Sequence, residues 1–225
     1  NRVNLVGRPS AHNWVQYHCE TGGYDATAGD VVGVTTATDI DGFADHACAL
    51  LTDATMRCWG SNAHGQLGDA TSVPRATPVL TGLADVRRIA VGGEHTCART
   101  GDGAVYCWGE NSSGQLGDGT FDDHTTPHLV PGSTNGGQIT AGAAHTCARL
   151  ANDEVWCWGD NAAGQIGDGS QSTRTEPTEV VVANNSFLQV DAGGEHTCAA
   201  RVQHVWCWGS GSVGQLGTGS ISDEL

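Results

Sequence analysis

Short apolar runs that end at glycine recur along the chain, as in "DVRRIAVGG" (85 to 93), "GGQITAGA" (136 to 143) and "FLQVDAGG" (187 to 194), and each reads as a β-strand. A hairpin signal follows each run: "TCART-GDG-AVYCW" sets β-prone arms on either side of a Gly-Asp-Gly turn. Trp-Gly and a glycine-rich turn, "ENSSGQLGDG", come next. A proline-containing stretch then closes the unit, as "SVPRATPVL", "FDDHTTPHLV" or "QSTRTEPTEVVV". Proline cannot donate to a β-ladder, which places this last stretch at a sheet edge. Strand, hairpin, turn and outer strand make four strands in about 50 residues.

The unit repeats. Trp59, Trp108, Trp158 and Trp208 stand 49, 50 and 50 residues apart, and a fixed period of that size marks solenoids and propellers. The prediction is an all-β fold, a β-propeller whose four-stranded blades stack to bury what a single blade cannot. The blades fall at 40–81, 82–131, 132–182 and 183–225, the last truncated before its outer strand at "SISDEL". Residues 1–39 are expected to form a degenerate or partial preceding blade, with Cys19 of "HNWVQYHCE" in the second-cysteine slot. The chain opens without Met or a charged-then-apolar leader, so we expect an array cut in mid-repeat. "SDEL" also resembles an endoplasmic-reticulum retention tail.

Composition agrees with short strands and tight turns: glycine accounts for 33 residues and aromatics for only 6%. Cysteine adds chemistry. Eight of the nine cysteines form one pair per unit, Cys48/Cys58, Cys97/Cys107, Cys147/Cys157 and Cys198/Cys207. Pairing Cys97 with Cys107 sets Ala98 opposite Tyr106 and Arg99 opposite Val105. In the fourth unit the spacing drops to 9, and the same pairing leaves a two-residue turn, Val202-Gln203, so the cysteines stay opposed. Opposed residues have Cα atoms about 4.5 to 5.5 Å apart, within disulfide range. Each closed loop of about 11 residues is worth on the order of 2.8 kcal/mol. Disulfides at this density require an oxidising compartment, so the expected location is secreted, periplasmic or cell-surface. The rival reading is zinc on His-x-Cys, but each unit supplies three ligands and no Cys-x-x-Cys knuckle. Cys19 either pairs outside the chain or is a free thiol.

A formal net charge of -15 repels phosphate backbones and anionic headgroups, so neither nucleic acid nor membrane insertion is expected, and no run of 18 apolar residues occurs. Trp59, Trp108, Trp158 and Trp208 are expected to fill the blade interfaces, with Trp156 and Trp206 on the same faces extending the core or meeting a partner. Leu67, Leu116, Ile166 and Leu216 should point inward from their Gly-Gln-Leu/Ile-Gly turns, whose glutamines cap turn amides. His46, His95, His145 and His196 read as buried, hydrogen-bonded framework. Departures from the repeat are where a site would lie: Asp122, Asp123, His124 and His128 cluster in one inter-blade segment as metal-ligand candidates, with a solvated loop as the competing reading. Asn111-Ser112-Ser113 and Asn184-Asn185-Ser186 match the glycosylation pattern.

"GGEHTCARTGDGAVYCWGENSSGQLGDGT" resembles the regulator of chromosome condensation repeat: glycine, two residues, His-Thr, a hairpin, Trp-Gly-x-Asn, then Gly-Gln-Leu-Gly. The resemblance covers about residues 40 to 225 and implies a β-propeller, commonly seven-bladed, with too few blades here to close the ring. Nuclear members are exchange factors for a small GTPase and bind chromatin, an analogy disfavoured by the cysteine pairs and the missing basic tail. A plant ultraviolet-B photoreceptor carries Trp-Arg before His-Thr, where this chain has Gly-Glu or Ala-Ala. Secreted bacterial members that bind proteins are nearest in character.

No Ser/His/Asp set, phosphate loop or carboxylate pair stands apart from the repeat, and no cofactor is implied. The expected function is a non-catalytic extracellular scaffold with an unidentified protein or cell-surface partner. Alternatives are a subunit of a self-assembling surface polymer or homo-oligomer, a metal-dependent extracellular enzyme, and an exchange factor by family analogy.

Overall fold

Each cysteine hairpin and its flanking runs fold into one antiparallel sheet, in a computed structural model that describes residues 29–133, 136–181 and 186–224. The first blade contains β1 (Ala37–Phe43), β2 (His46–Leu51), β3 (Met56–Gly60) and β4 (Arg75–Leu80). The second contains β5 (Val86–Val91), β6 (His95–Thr100), β7 (Val105–Gly109) and β8 (His124–Leu129). The third contains β9 (Gly136–Ala141), β10 (His145–Leu150), β11 (Val155–Gly159) and β12 (Arg174–Glu179). The fourth keeps three strands, β13 (Gln189–Ala192), β14 (His196–Ala200) and β15 (Val205–Gly209). Where its outer strand would begin, Glu224 makes a single antiparallel bridge to Gly209. Cys19 and most of 1–39 lie outside the described residues.

Within every sheet the strands follow chain order, and the first strand of one blade touches the first strand of the next. β1, β5, β9 and β13 therefore line the inner side of an unclosed ring. β4, β8 and β12 form the outer edge, where Pro78, Pro127 and Pro177 leave no ladder donor missing inside a sheet. β1 starts at Ala37, ahead of the expected boundary at 40, because Ala37 still pairs with Leu51.

The hairpins carry the expected register: Cys97 faces Cys107, Ala98 faces Tyr106 and Arg99 faces Val105. In the fourth blade Arg201 N–H donates to the His204 carbonyl at 2.8 Å, closing the two-residue turn. All four pairs are disulfides with Cα atoms 4.1 Å apart, slightly inside the expected spacing.

The core lies between blades. Cys48, Met56, Cys58 and Leu67 of the first pack against Val86, Ile89, Ala98 and Trp108 of the second. Cys97, Cys107 and Leu116 meet Ile139 and Trp158, and Cys147, Cys157 and Ile166 meet Phe187 and Trp208. The disulfides of the first three blades are thus covered by the blade that follows. Among the described residues no helix is long and apolar enough to cross a membrane.

Candidate functional site: the blade interfaces and the rim of the second blade

One hydrogen-bonded lock recurs at each interface. The Gln66 carbonyl accepts from Thr96 Oγ1 and Trp108 Nε1 of the next blade, at 2.8 and 2.9 Å. His46 Nε2 lies 2.9 Å from the same Thr96 hydroxyl. A threonine hydroxyl has one proton, already given to the carbonyl, so the imidazole donates and is neutral with its proton on Nε2. His95, Thr146, Gln115 and Trp158 repeat the arrangement, as do His145, Thr197, Gln165 and Trp208.

Burial pushes His46 down to about 4 and His95 and His145 to about 3, with neighbouring histidines adding to the effect at the last two. Such rings are framework and cannot exchange protons with a substrate near neutral pH. The second glycine of the first three Gly-Gln-Leu/Ile-Gly turns lies under the next tryptophan: a Cβ on Gly68, at φ +70°, would stand 2.7 Å from Trp108 Nε1. The glutamine side chains also cap the turn amides, Gln66 Oε1 accepting from His64 N–H at 3.0 Å.

Two expected framework positions differ from their siblings. Trp59 is half-buried, because it lies on the leading face of the first described blade, where Ala47 occupies the threonine position. His196 is half-buried on the trailing face of the fourth, with no blade beyond it among the described residues. Burial still lowers its pKa. Leu216 remains buried.

A second motif escaped the sequence reading. The asparagine of Trp-Gly-x-Asn knots the turn: Asn111 Oδ1 accepts from Leu116 N–H, while Nδ2 donates to Asp118 and to the Thr120 carbonyl. Asn62 and Asn161 do the same with Asp69 and Asp168. Asn111 is therefore buried structure and not an open glycosylation acceptor, and Asn184 and Asn185 lie outside the described residues. Burial works to raise the three carboxyls. Hydrogen bonds from the following Thr or Ser, from Arg75, His124 or Arg174, and from asparagine at Asp69 and Asp118 outweigh it and hold them below their ordinary value.

The four metal-ligand candidates do not form one cluster. Asp122 is exposed. Asp123 turns away, accepting from Asn111 N–H at 2.8 Å and meeting His64 Nδ1 of the preceding blade at 2.7 Å. His64 is also 2.9 Å from Glu94, and its pKa is raised, first by the Asp123 hydrogen bond and further by nearby carboxylates. His124 and His128 come together with Asp118, which the chain brings back from the Gly-Gln-Leu-Gly-Asp turn. Adjacency in sequence pointed to the wrong carboxylates, because Asp122 and Asp123 precede β8 in the loop while the outer strand folds back over the turn that holds Asp118.

A groove of about 370 Å³ opens between the second and third blades, lined by Pro131, Leu150, Trp156, Trp158, Glu176 and Pro177. Trp156 is half-exposed there, its Nε1 donating to Glu154 at 3.2 Å. Trp206 instead meets Phe187 edge-on, with Arg201 over both rings.

Family models described as the regulator of chromosome condensation (RCC1) repeat match residues 58–99, 102–149 and 152–200, and, in a second form, 42–66, 86–115 and 138–165. No curated protein matches the chain significantly. Human WBSCR16 is similar in structure, with a TM-score of 0.74 at 20% identity over 84% of this chain and 51% of its own. Prp20p of Saccharomyces cerevisiae, described with its binding to Gsp1p and histones, gives 0.73 at 24% identity over 83% and 48%. The ectodomain of the Physcomitrella patens receptor kinase CR4 gives 0.51 at 21% identity over 86% and 42%. The chain spans about half the length of the first two.

Proposed function

The chain belongs to the regulator of chromosome condensation repeat family, and from that premise we propose that it is a non-catalytic protein-interaction scaffold working in an oxidising, extracellular setting. The observation that carries this reading is the division of labour among its residues. Those that recur in each blade are mostly buried and bonded to one another, whereas those that vary between blades, such as Trp156, Phe121 and His128, lie on exposed or half-exposed surface. Repeat folds commonly hold a fixed framework and vary the surface that binds. Four disulfides among four hairpins support the compartment. The groove at Trp156 offers an aromatic anchor between two prolines, the kind of feature that dominates protein-protein contacts.

The test is capture of surface and secreted proteins of the source cells on the oxidised chain, alongside assays of hydrolysis and of nucleotide release from small GTPases. Saturable retention of a protein, weakened by Trp156→Ala, supports the scaffold. Turnover of a substrate or accelerated nucleotide release contradicts it.

A further inference from the structure

In the first and third blades the turn aspartate is held by an arginine. Arg75 Nε donates to Asp69 at 2.8 Å and Arg174 Nε to Asp168 at 2.6 Å. The equivalent residue in the second blade is His124, whose Nε2 lies 2.7 Å from Asp118 Oδ2. Four residues along β8, and hence on the same face, stands His128, where the sibling blades have Val79 and Thr178 opposite the disulfide. Its ring stacks on His124 with centroids 4.2 Å apart. Two substitutions away from the repeat have therefore put two imidazoles beside one carboxylate, and a ligand atom from each of the three residues lies within 4.8 Å of the others.

We propose that Asp118, His124 and His128 form a binding site for a borderline divalent transition-metal ion such as Zn²⁺, with water completing its coordination. The donor chemistry fits: imidazole and carboxylate are zinc ligands, and three protein ligands with an open position are a usual set. The carboxylate is already oriented. Asp118 Oδ1 accepts from Asn111 Nδ2, Thr120 N–H and Thr120 Oγ1 at 3.2, 2.9 and 2.8 Å, which leaves Oδ2 directed at His124. Outer partners that fix a ligand in this way raise metal affinity. Entry needs no rearrangement of the core, since β8 is an outer-edge strand and His128 is exposed. An ion would replace the His124 to Asp118 hydrogen bond and drive the two groups slightly apart, a movement the edge strand can absorb. The neighbouring group of His64, Glu94 and Glu110 is a poorer candidate, because both ring nitrogens of His64 already face carboxylates.

The test titrates ZnCl₂ into the oxidised chain while the histidine ring protons are followed by NMR, with calorimetry for affinity. His124→Arg restores the residue that the sibling blades use, so the variant retains a partner for Asp118 and the fold. His128→Thr installs the residue of the third blade and serves as a second variant. The expected result is selective movement of the His124 and His128 resonances and binding weakened about 10- to 100-fold or more in both variants. Zinc binding of equal affinity in wild type and both variants, or no movement of these two resonances, overturns the assignment.

Discussion

The third and fourth blades begin alike and end differently. Both have the hairpin disulfide with Cα atoms 4.1 Å apart, and both place their tryptophan under the lock of the preceding blade. Beyond the hairpin they part. Val155 is fully buried beneath Val180 and Phe187, whereas its counterpart Val205 is 69% exposed. Asn161 and Asp168 knot the third turn, but Gly211 and Thr218 stand in their places in the fourth. His145 donates to Thr197, while His196 has no next-blade threonine among the described residues. The hairpin is thus a local structure held by its own covalent link, and the remainder of a blade is completed by the blade that follows. Full burial of one valine is worth about 1.5 to 3 kcal/mol, so the cover that Val180 and Phe187 give Val155 is a measurable part of the third blade's stability.

The largest contrast should come from tryptophan. Trp158→Ala removes a buried indole and strips a donor from the Gln115 carbonyl, and should cost about 3 to 5 kcal/mol in denaturant unfolding. Trp59→Ala, at a half-buried position, should cost clearly less. Equal losses would break the claim that the interface between blades, and not the hairpin, sets a blade's stability.

The turn knot ranks next. Asn161→Gly imitates the fourth blade and should cost about 1 to 3 kcal/mol, since it leaves the buried Ile166 amide without its acceptor. The reverse change, Gly211→Asn, should not stabilise, because a Cβ at 211 would stand 1.8 Å from the Ser222 carbonyl oxygen. Stabilisation by that variant in thermal unfolding would show that the tail does not occupy the asparagine's place.

Acid gives a smaller but diagnostic separation. An unfolded chain takes up histidine protons as pH falls below about 6.5, whereas folded His46 does so only near 4 and His95 and His145 near 3. The folded state holds fewer protons, so this contribution is full above pH 6.5 and is lost as pH falls towards 3. Asp41 acts in the opposite sense. Burial pushes it up to about 6, so its contribution is full below about 3.8 and is lost as pH rises through 6. His64, raised by Asp123, likewise favours the fold at the acid side, and His64→Ala should sharpen the acid loss slightly. With His46, His95 and His145 set against Asp41 and the less buried Asp39, whose carboxyl burial also raises, net stability should fall below pH 6. In a ring-proton titration His196 should respond at a higher pH than His95 or His145, and identical titrations would erase the open-face distinction.

The repeating features were legible because period and pairing are local. The strand order, the hairpin register and the buried Leu67, Leu116 and Ile166 follow from spacing alone. Two things were not. The grouping of His124 with Asp118 depends on how the outer strand folds back over the turn, which adjacency along the chain does not report. The half-exposure of Trp59 and His196 depends on what lies beyond each end face, so identical residues in identical motifs acquire different burial. Asn111 shows the same lesson in small: a sequon by pattern, it is a turn knot by geometry.

The most direct test of the disulfide-stapled scaffold is an intact mass of the native protein after thiol labelling, with and without prior reduction. The account predicts that Cys48, Cys58, Cys97, Cys107, Cys147, Cys157, Cys198 and Cys207 take up label only after reduction. Labelling of those cysteines in unreduced native protein would contradict it, and with it the oxidising compartment on which the proposed function rests.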